Sequence, residues 1–184
     1  MGGQWESETV MSMIRIIGLA AALSVSCAAQ AAPGVEVGFS PEGSARALVL
    51  QVIGEARRSI QVLAYAFQAQ DVTEALVAAQ RRGVEVRVVV DKDRNTGKAS
   101  RAAMDFAVRN GVALRTNARF HLHHDKTIIV DVSTVQTGSF NFAPSAETKN
   151  SENVVVIREM PEVAARFLSH WQSRWSGGVP YRGQ

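Results

Sequence analysis

One cysteine, Cys27, is all the thiol this 184-residue chain possesses, so no disulfide can form within it. No apolar run approaches the roughly 20 residues that a membrane-spanning helix needs. Internal repeats and linker-like stretches are also absent, which argues against a solenoid or a string of domains. Charge of neither sign dominates, with 20 Lys and Arg against 17 Asp and Glu for a net +3. That mild basicity suits a polyanionic partner without demanding one. Histidine is scarce, at four residues, yet three of them fall together at His121, His123 and His124. With 46% hydrophobic and 20% charged residues, the chain has enough apolar material for one ordinary globular core.

The amino-terminal stretch has its own character. Arg15 precedes a short apolar run over 16–25, and Ala29-Gln30-Ala31-Ala32 follows. This is the layout of a secretory signal peptide cleaved after Ala31, leaving a single domain over 32–184 in the periplasm or outside the cell. Acylation of Cys27 fits less well, because Leu23 stands one place too far upstream. Glu6 and Glu8 are foreign to such a leader, so translation starting at Met11 or Met13 suits the pattern better.

Beyond the leader, two periodicities alternate. Strands are expected over 35–39, 59–67, 84–90 and 112–115, the second apolar enough for a buried sheet centre. Helices are expected from Ser40-Pro41-Glu42 to about Arg57, from Asp71 to Arg82 before Gly83, and over 98–109 before Asn110-Gly111. Two short strands follow, over 126–131 and 134–138, with a tight turn at Val132-Ser133. A strand over 153–157 and an amphipathic helix over 160–175 complete the domain, with 176–184 read as a loose tail. The alternation predicts an α/β fold with a mixed, largely parallel central sheet flanked by helices.

Chemistry concentrates in Phe120–Asp131, F-H-L-H-H-D-K-T-I-I-V-D. His124, Lys126 and Asp131 make H-x-K-x4-D. Extended chain places His124 and Lys126 on one side. An imidazole there can attack phosphorus or move a proton, while an ammonium beside it neutralises phosphate oxygens. Then comes Gly138-Ser139-Phe140-Asn141, which supplies a hydroxyl and an amide on alternate residues, with a glycine that permits close backbone approach. Glu152 adds a carboxylate able to orient an imidazole.

This set, H-x-K-x4-D followed by G-S-x-N and a glutamate opening the next strand, resembles the phospholipase D superfamily, and within it the small single-motif bacterial endonucleases. The resemblance spans about 35–175. It implies metal-independent phosphodiester hydrolysis without a cofactor, acting on nucleic acid (DNA, with RNA open). His124 would be the nucleophile that forms a phosphohistidine, and a second histidine would protonate the leaving oxygen. Lys126 and Asn141 would bind phosphate oxygens, Ser139 would support the phosphate or the histidine, and Glu152 would fix the imidazole tautomer. Asp131 falls on the opposite strand face and reads, with Gly138, as structural. Because only one copy of the motif is present, the second histidine is expected from a second identical chain, in a homodimer sharing one active site. The alternative substrate is a phospholipid, since the motif chemistry is indifferent to what the phosphate carries.

Rival readings are weaker. His121 to Asp125 is similar to part of the H-x-H-x-D-H signature of metallo-β-lactamase-type zinc hydrolases, but Lys126 stands where the last histidine belongs, and an ammonium is no ligand. His121 and His123 are therefore read as rim groups and His170 as a surface or packing residue. Arg57, Arg58, Arg81, Arg82 and Arg109 fall at helix ends, where they complement the dipole. Lys92, Arg94, Lys98 and Arg101 follow a strand's carboxyl end, a place where α/β folds bind ligands. Phe140 and Phe142 could stack on bases, though core packing suits at least one of them better.

Overall fold

A computed structural model describes residues 33–183; the leader, Cys27 and the cleavage point after Ala31 lie outside the described residues. In chain order the elements are β1 (Gly34–Ser40), α1 (Ser44–Glu55), β2 (Ser59–Ala64), α2 (Gln70–Arg81), β3 (Glu85–Asp91), α3 (Lys98–Arg109) and β4 (Ala113–Asn117). Then follow β5 (Lys126–Val130), β6 (Thr134–Gly138), α4 (Pro144–Thr148), β7 (Glu152–Arg158), α5 (Pro161–Ser176) and β8 (Val179–Pro180). All eight strands join one sheet in the order β1-β7-β6-β5-β2-β3-β4-β8.

The expected α/β architecture is present, but the sheet is mostly antiparallel. Only β2–β3 and β3–β4 pair in parallel. The helical crossovers of the first two-thirds enforce that parallel part. The β5–β6 connection is too short for a crossover, so these strands form a hairpin, and β5 docks antiparallel against β2. β7 and then β1 extend the same side, again antiparallel.

Side-chain alternation divides the core between the two faces. Ile60, Val62, Val86, Val88, Val90, Ile128, Val154 and Val156 pack with α1, α2 and α3. Leu63, Val89, Ile129 and Val135 face α5, where Ala164 and Trp171 cover them. The buried Trp171 Nε1 donates to the Val62 carbonyl at 3.2 Å, so a polar atom brought into the core keeps a partner.

Two boundaries differ from expectation. α1 begins at Ser44 rather than at Ser40-Pro41-Glu42, after Gly43 at φ 96°, and the Ser44 hydroxyl bonds the backbone of Phe39. The carboxyl-terminal stretch is not loose. β8 pairs with β4, Tyr181 N donates to Leu114 O, and the Tyr181 hydroxyl donates to Asp105 at 2.7 Å. Among the described residues no helix is long and apolar enough to cross a membrane.

Candidate active site

The carboxyl ends of β2 and β3 and the amino end of β5 meet at one edge of the sheet. Lys126 opens β5 opposite Ala64, the last residue of β2. Its side chain is buried, and Nζ donates to the His124 carbonyl at 2.8 Å. His124 lies just before the strand and is exposed. Its ring meets Tyr65 edge-on, centroids 4.5 Å apart, and Lys126 Nζ lies 5.1 Å from the same Tyr65 centroid. The expected closeness of His124 and Lys126 is thus found, built around a tyrosine.

Burial pushes the Lys126 ammonium pKa down from its ordinary value, against the attraction of Asp125 and Glu152. A desolvated cation of this kind interacts more strongly with an arriving phosphate than one in water.

Gly138 ends β6 at φ 148°, where a Cβ would lie 2.3 Å from the Asn153 carbonyl oxygen. The close approach that demands glycine is therefore to the neighbouring strand, not to a ligand. Ser139 Oγ accepts from Asn153 N at 3.0 Å and from Asn153 Nδ2 at 3.3 Å. Asn141 Oδ1 is buried without a hydrogen-bond partner among the described residues. Glu152 accepts from Asn150 Nδ2 at 2.9 Å, and its charge acts on Lys126. Among the described residues no hydrogen bond joins Glu152 to His124. Asp131 stands apart, accepting the amides of Arg57, Arg58 and Ser59 at 3.0, 2.7 and 2.9 Å. That ties the β5–β6 turn to the start of β2, the structural role read from its strand face.

Several residues that position the site carried no motif. Buried Asp91 accepts His123 N at 2.8 Å through one oxygen and Arg94 N at 2.7 Å through the other. Buried Asn95 donates to Tyr65 O and Asp91 O, both at 2.7 Å, and accepts Phe67 N at 2.8 Å. An aspartate closing an apolar strand, with an asparagine four residues on, was the signal available for this brace.

One expectation is corrected here: His123 is not a rim group; it is buried, with Nε2 3.3 Å from Asp125 Oδ2, an ion-pair distance off the line of a good hydrogen bond. His170 is part-exposed, as a surface or packing residue would be, and its Nε2 also lies 3.0 Å from Asp125 Oδ1. Core packing, expected for at least one of Phe140 and Phe142, holds for both, so neither is placed to stack on a base. The helix-end arginines are mixed: Arg82 reaches the last carbonyls of α1, whereas Arg81 bonds Asn110.

A family model described as the PLD-like domain of cardiolipin synthase matches residues 49–175. The chain belongs to the phospholipase D superfamily. Among solved structures, this phospholipase D-like chain is similar to Nuc, a phospholipase D family member from Salmonella typhimurium. The two are 56% identical with a TM-score of 0.82, over 83% of this chain and 100% of that one. It is also similar to a protein named phospholipase D from Rickettsia prowazekii, 35% identical over 136 residues. That match takes in 74% of this chain and 65% of the relative, so the chain spans a little under two thirds of that protein's length. A mitochondrial cardiolipin hydrolase from Homo sapiens is 32% identical over 153 residues, 78% of this chain and 60% of that one.

Proposed function

We propose that this chain is a phosphodiesterase that cleaves nucleic acid endonucleolytically, without sequence preference and without metal, through a phosphohistidine at His124. The observation that carries the reading is the exposed His124 imidazole beside the buried Lys126 ammonium, both against Tyr65 at the ends of the central strands. In the first step an imidazole nitrogen of His124 attacks phosphorus, and the bond to the leaving oxygen breaks as a second imidazole protonates it. In the second step water attacks phosphorus, gives up a proton to that imidazole, and releases His124. Splitting one displacement into two, each with proton transfer, lowers both barriers. Lys126 and the Asn141 amide hold non-bridging oxygens, and Glu152 acts from beside Lys126.

The second imidazole comes from another copy of the chain. His123 is buried beside Asp125 and His170 Nε2 is bonded to the same carboxylate, which favours an imidazole from a second chain over either of these. Exposed Val35, Val37 and Phe39 form an apolar row on β1 that a second copy would cover. Mixing His124→Ala protein with wild type and allowing exchange tests this: a shared site lowers activity per wild-type chain, and constant activity despite proven exchange rules it out.

The names of the Rickettsia and human relatives favour a lipid phosphodiester instead, while the exposed basic loop after β3 favours nucleic acid. Mature protein incubated with plasmid DNA, RNA, and phosphatidylcholine or cardiolipin vesicles, each with EDTA, separates the two. Nicking in chelator supports the reading; hydrolysis of vesicles alone, or cleavage only after metal is restored, overturns it. Export to the periplasm or medium belongs to the same proposal, and sequencing the exported protein's amino terminus should find Ala32 first.

A further inference from the structure

The loop between β3 and α3 carries the exposed side chains of Lys92, Arg94 and Lys98, and none has an ion-pair partner among the described residues. Three other arginines are engaged: Arg46 with Asp71, Arg158 with Glu36 and Glu55, and Arg115 with the Trp175 carbonyl. Arg94 differs from a stray surface cation in its placement. Its guanidinium carbon lies 5.8 Å from the Tyr65 ring centroid, and that ring also touches His124 and Lys126. One aromatic side chain thus joins the attacking imidazole, the buried ammonium and an open guanidinium.

The loop is also rigidly held. Arg94 N donates to Asp91 Oδ1, and Asn95 makes three hydrogen bonds to Tyr65, Asp91 and Phe67 from a buried position. The backbone that presents the guanidinium therefore has little further freedom to lose when an anion is captured. Its planar fork matches two phosphate oxygens at once. Arg94 and Lys126 are separate cationic points on one ring, at 5.8 and 5.1 Å from the Tyr65 centroid.

We infer that Arg94, seated on Tyr65, is a second phosphate-binding point, which takes the phosphodiester next to the one being cleaved. This rests on the nucleic-acid reading above and deepens it, since a strand carries a neighbouring phosphate at fixed spacing and a single diester does not. The site thereby favours a polymer through binding at a distance from the reacting atoms. Tyr65 supplies the platform and Asn95 the brace.

The test compares thymidine oligomers, the dinucleotide TpT with one phosphodiester and the trinucleotide TpTpT with two, for wild type, Arg94→Ala and Arg94→Lys. Wild type should show kcat/KM about tenfold or more higher for TpTpT, as one charge-assisted phosphate contact allows. Arg94→Ala should erase most of that gain through KM, and Arg94→Lys should restore part of it. On a 20-mer, Arg94→Ala should also flatten the salt dependence by about one unit of slope. An unchanged TpTpT-to-TpT ratio in Arg94→Ala overturns the subsite while leaving the nuclease reading intact. Equal losses on both oligomers place Arg94 on the scissile phosphate and also overturn it. Failure of wild type on every oligomer, with turnover of phospholipid vesicles, removes the nucleic-acid reading and the subsite together. Circular dichroism melts of each variant show whether a loss reflects unfolding.

Discussion

His170 and Asp125 tie the carboxyl-terminal helix to the H-x-K-x4-D motif, with Nε2 3.0 Å from Oδ1 and the carboxylate standing between His124 and Lys126 in sequence. Burial alone would raise the Asp125 pKa, but the His123 contact and the charge and hydrogen bond of His170 outweigh it and lower it from 3.8 to about 2. The folded state therefore favours the ionised carboxylate. Its stabilising contribution is complete above about pH 4 and is lost as pH falls toward 2. Acid unfolding should show this as a steeper loss in wild type than in Asp125→Asn across that window. Superimposable acid limbs would mean that the clamp contributes nothing.

Lys126→Met should separate activity from stability. Removing the ammonium takes away charge stabilisation at the phosphate, and kcat should fall by about a hundred- to a thousandfold. Burial disfavours that ammonium, so an apolar side chain of similar length should leave Tm unchanged or raise it. A Tm that drops along with kcat would assign Lys126 a structural role.

For Asp131→Asn the expectation is the reverse. Weakening the acceptor of three backbone amides should cost about 1–3 kcal/mol in urea unfolding. Activity per folded molecule should stay within about twofold, the effect being confined to stability. Asparagine tolerates the φ of 52° at this position, so the turn itself is kept. Loss of turnover in a fully folded variant would return Asp131 to the reaction.

Gly138→Ala should be costly for a different reason. A methyl group 2.3 Å from the Asn153 carbonyl oxygen forces β6 and β7 apart beside Ser139. The expected loss is at least about 2 kcal/mol, with lowered activity because the Ser139–Asn153 pairing is displaced. A melt indistinguishable from wild type would show that the strands can separate there without penalty.

The motif residues were legible because their meaning is local. Lys126 begins a strand and Asp131 closes it, which a short sequence window can reveal, whereas Gly138, which reads as admitting a ligand, instead admits the Asn153 carbonyl. What escaped depended on distant partners. Tyr65, at the end of an apolar strand, reads as core until His124, Lys126 and Arg94 are brought against it. His170 looked dispensable because Asp125 is reached only after α5 docks, and His123 because its burial depends on the packed fold. The parallel bias was misjudged for the same reason: alternating periods reveal β2, β3 and β4 with their crossovers, but not that β1 bypasses β2 to pair with β7. Phe140 and Phe142, flanking a motif asparagine, could not be told from exposed stacking groups by composition alone.

The pairing of β1 with β7 joins nearly the whole length of the domain, placing Ser40 opposite Glu152 and linking Glu36 to Arg158 across 122 residues. A ribosome delivers β1 early and β7 late, so the first strand must wait for almost the last one. Until β7 arrives, β6 has an open edge, Ser139 has no Asn153, and Lys126 has no Glu152 beside it. A chain interrupted before residue 152 therefore lacks the finished cleft, whatever else it has folded. Synthesis order thus makes this cleft one of the last parts of the domain to be completed.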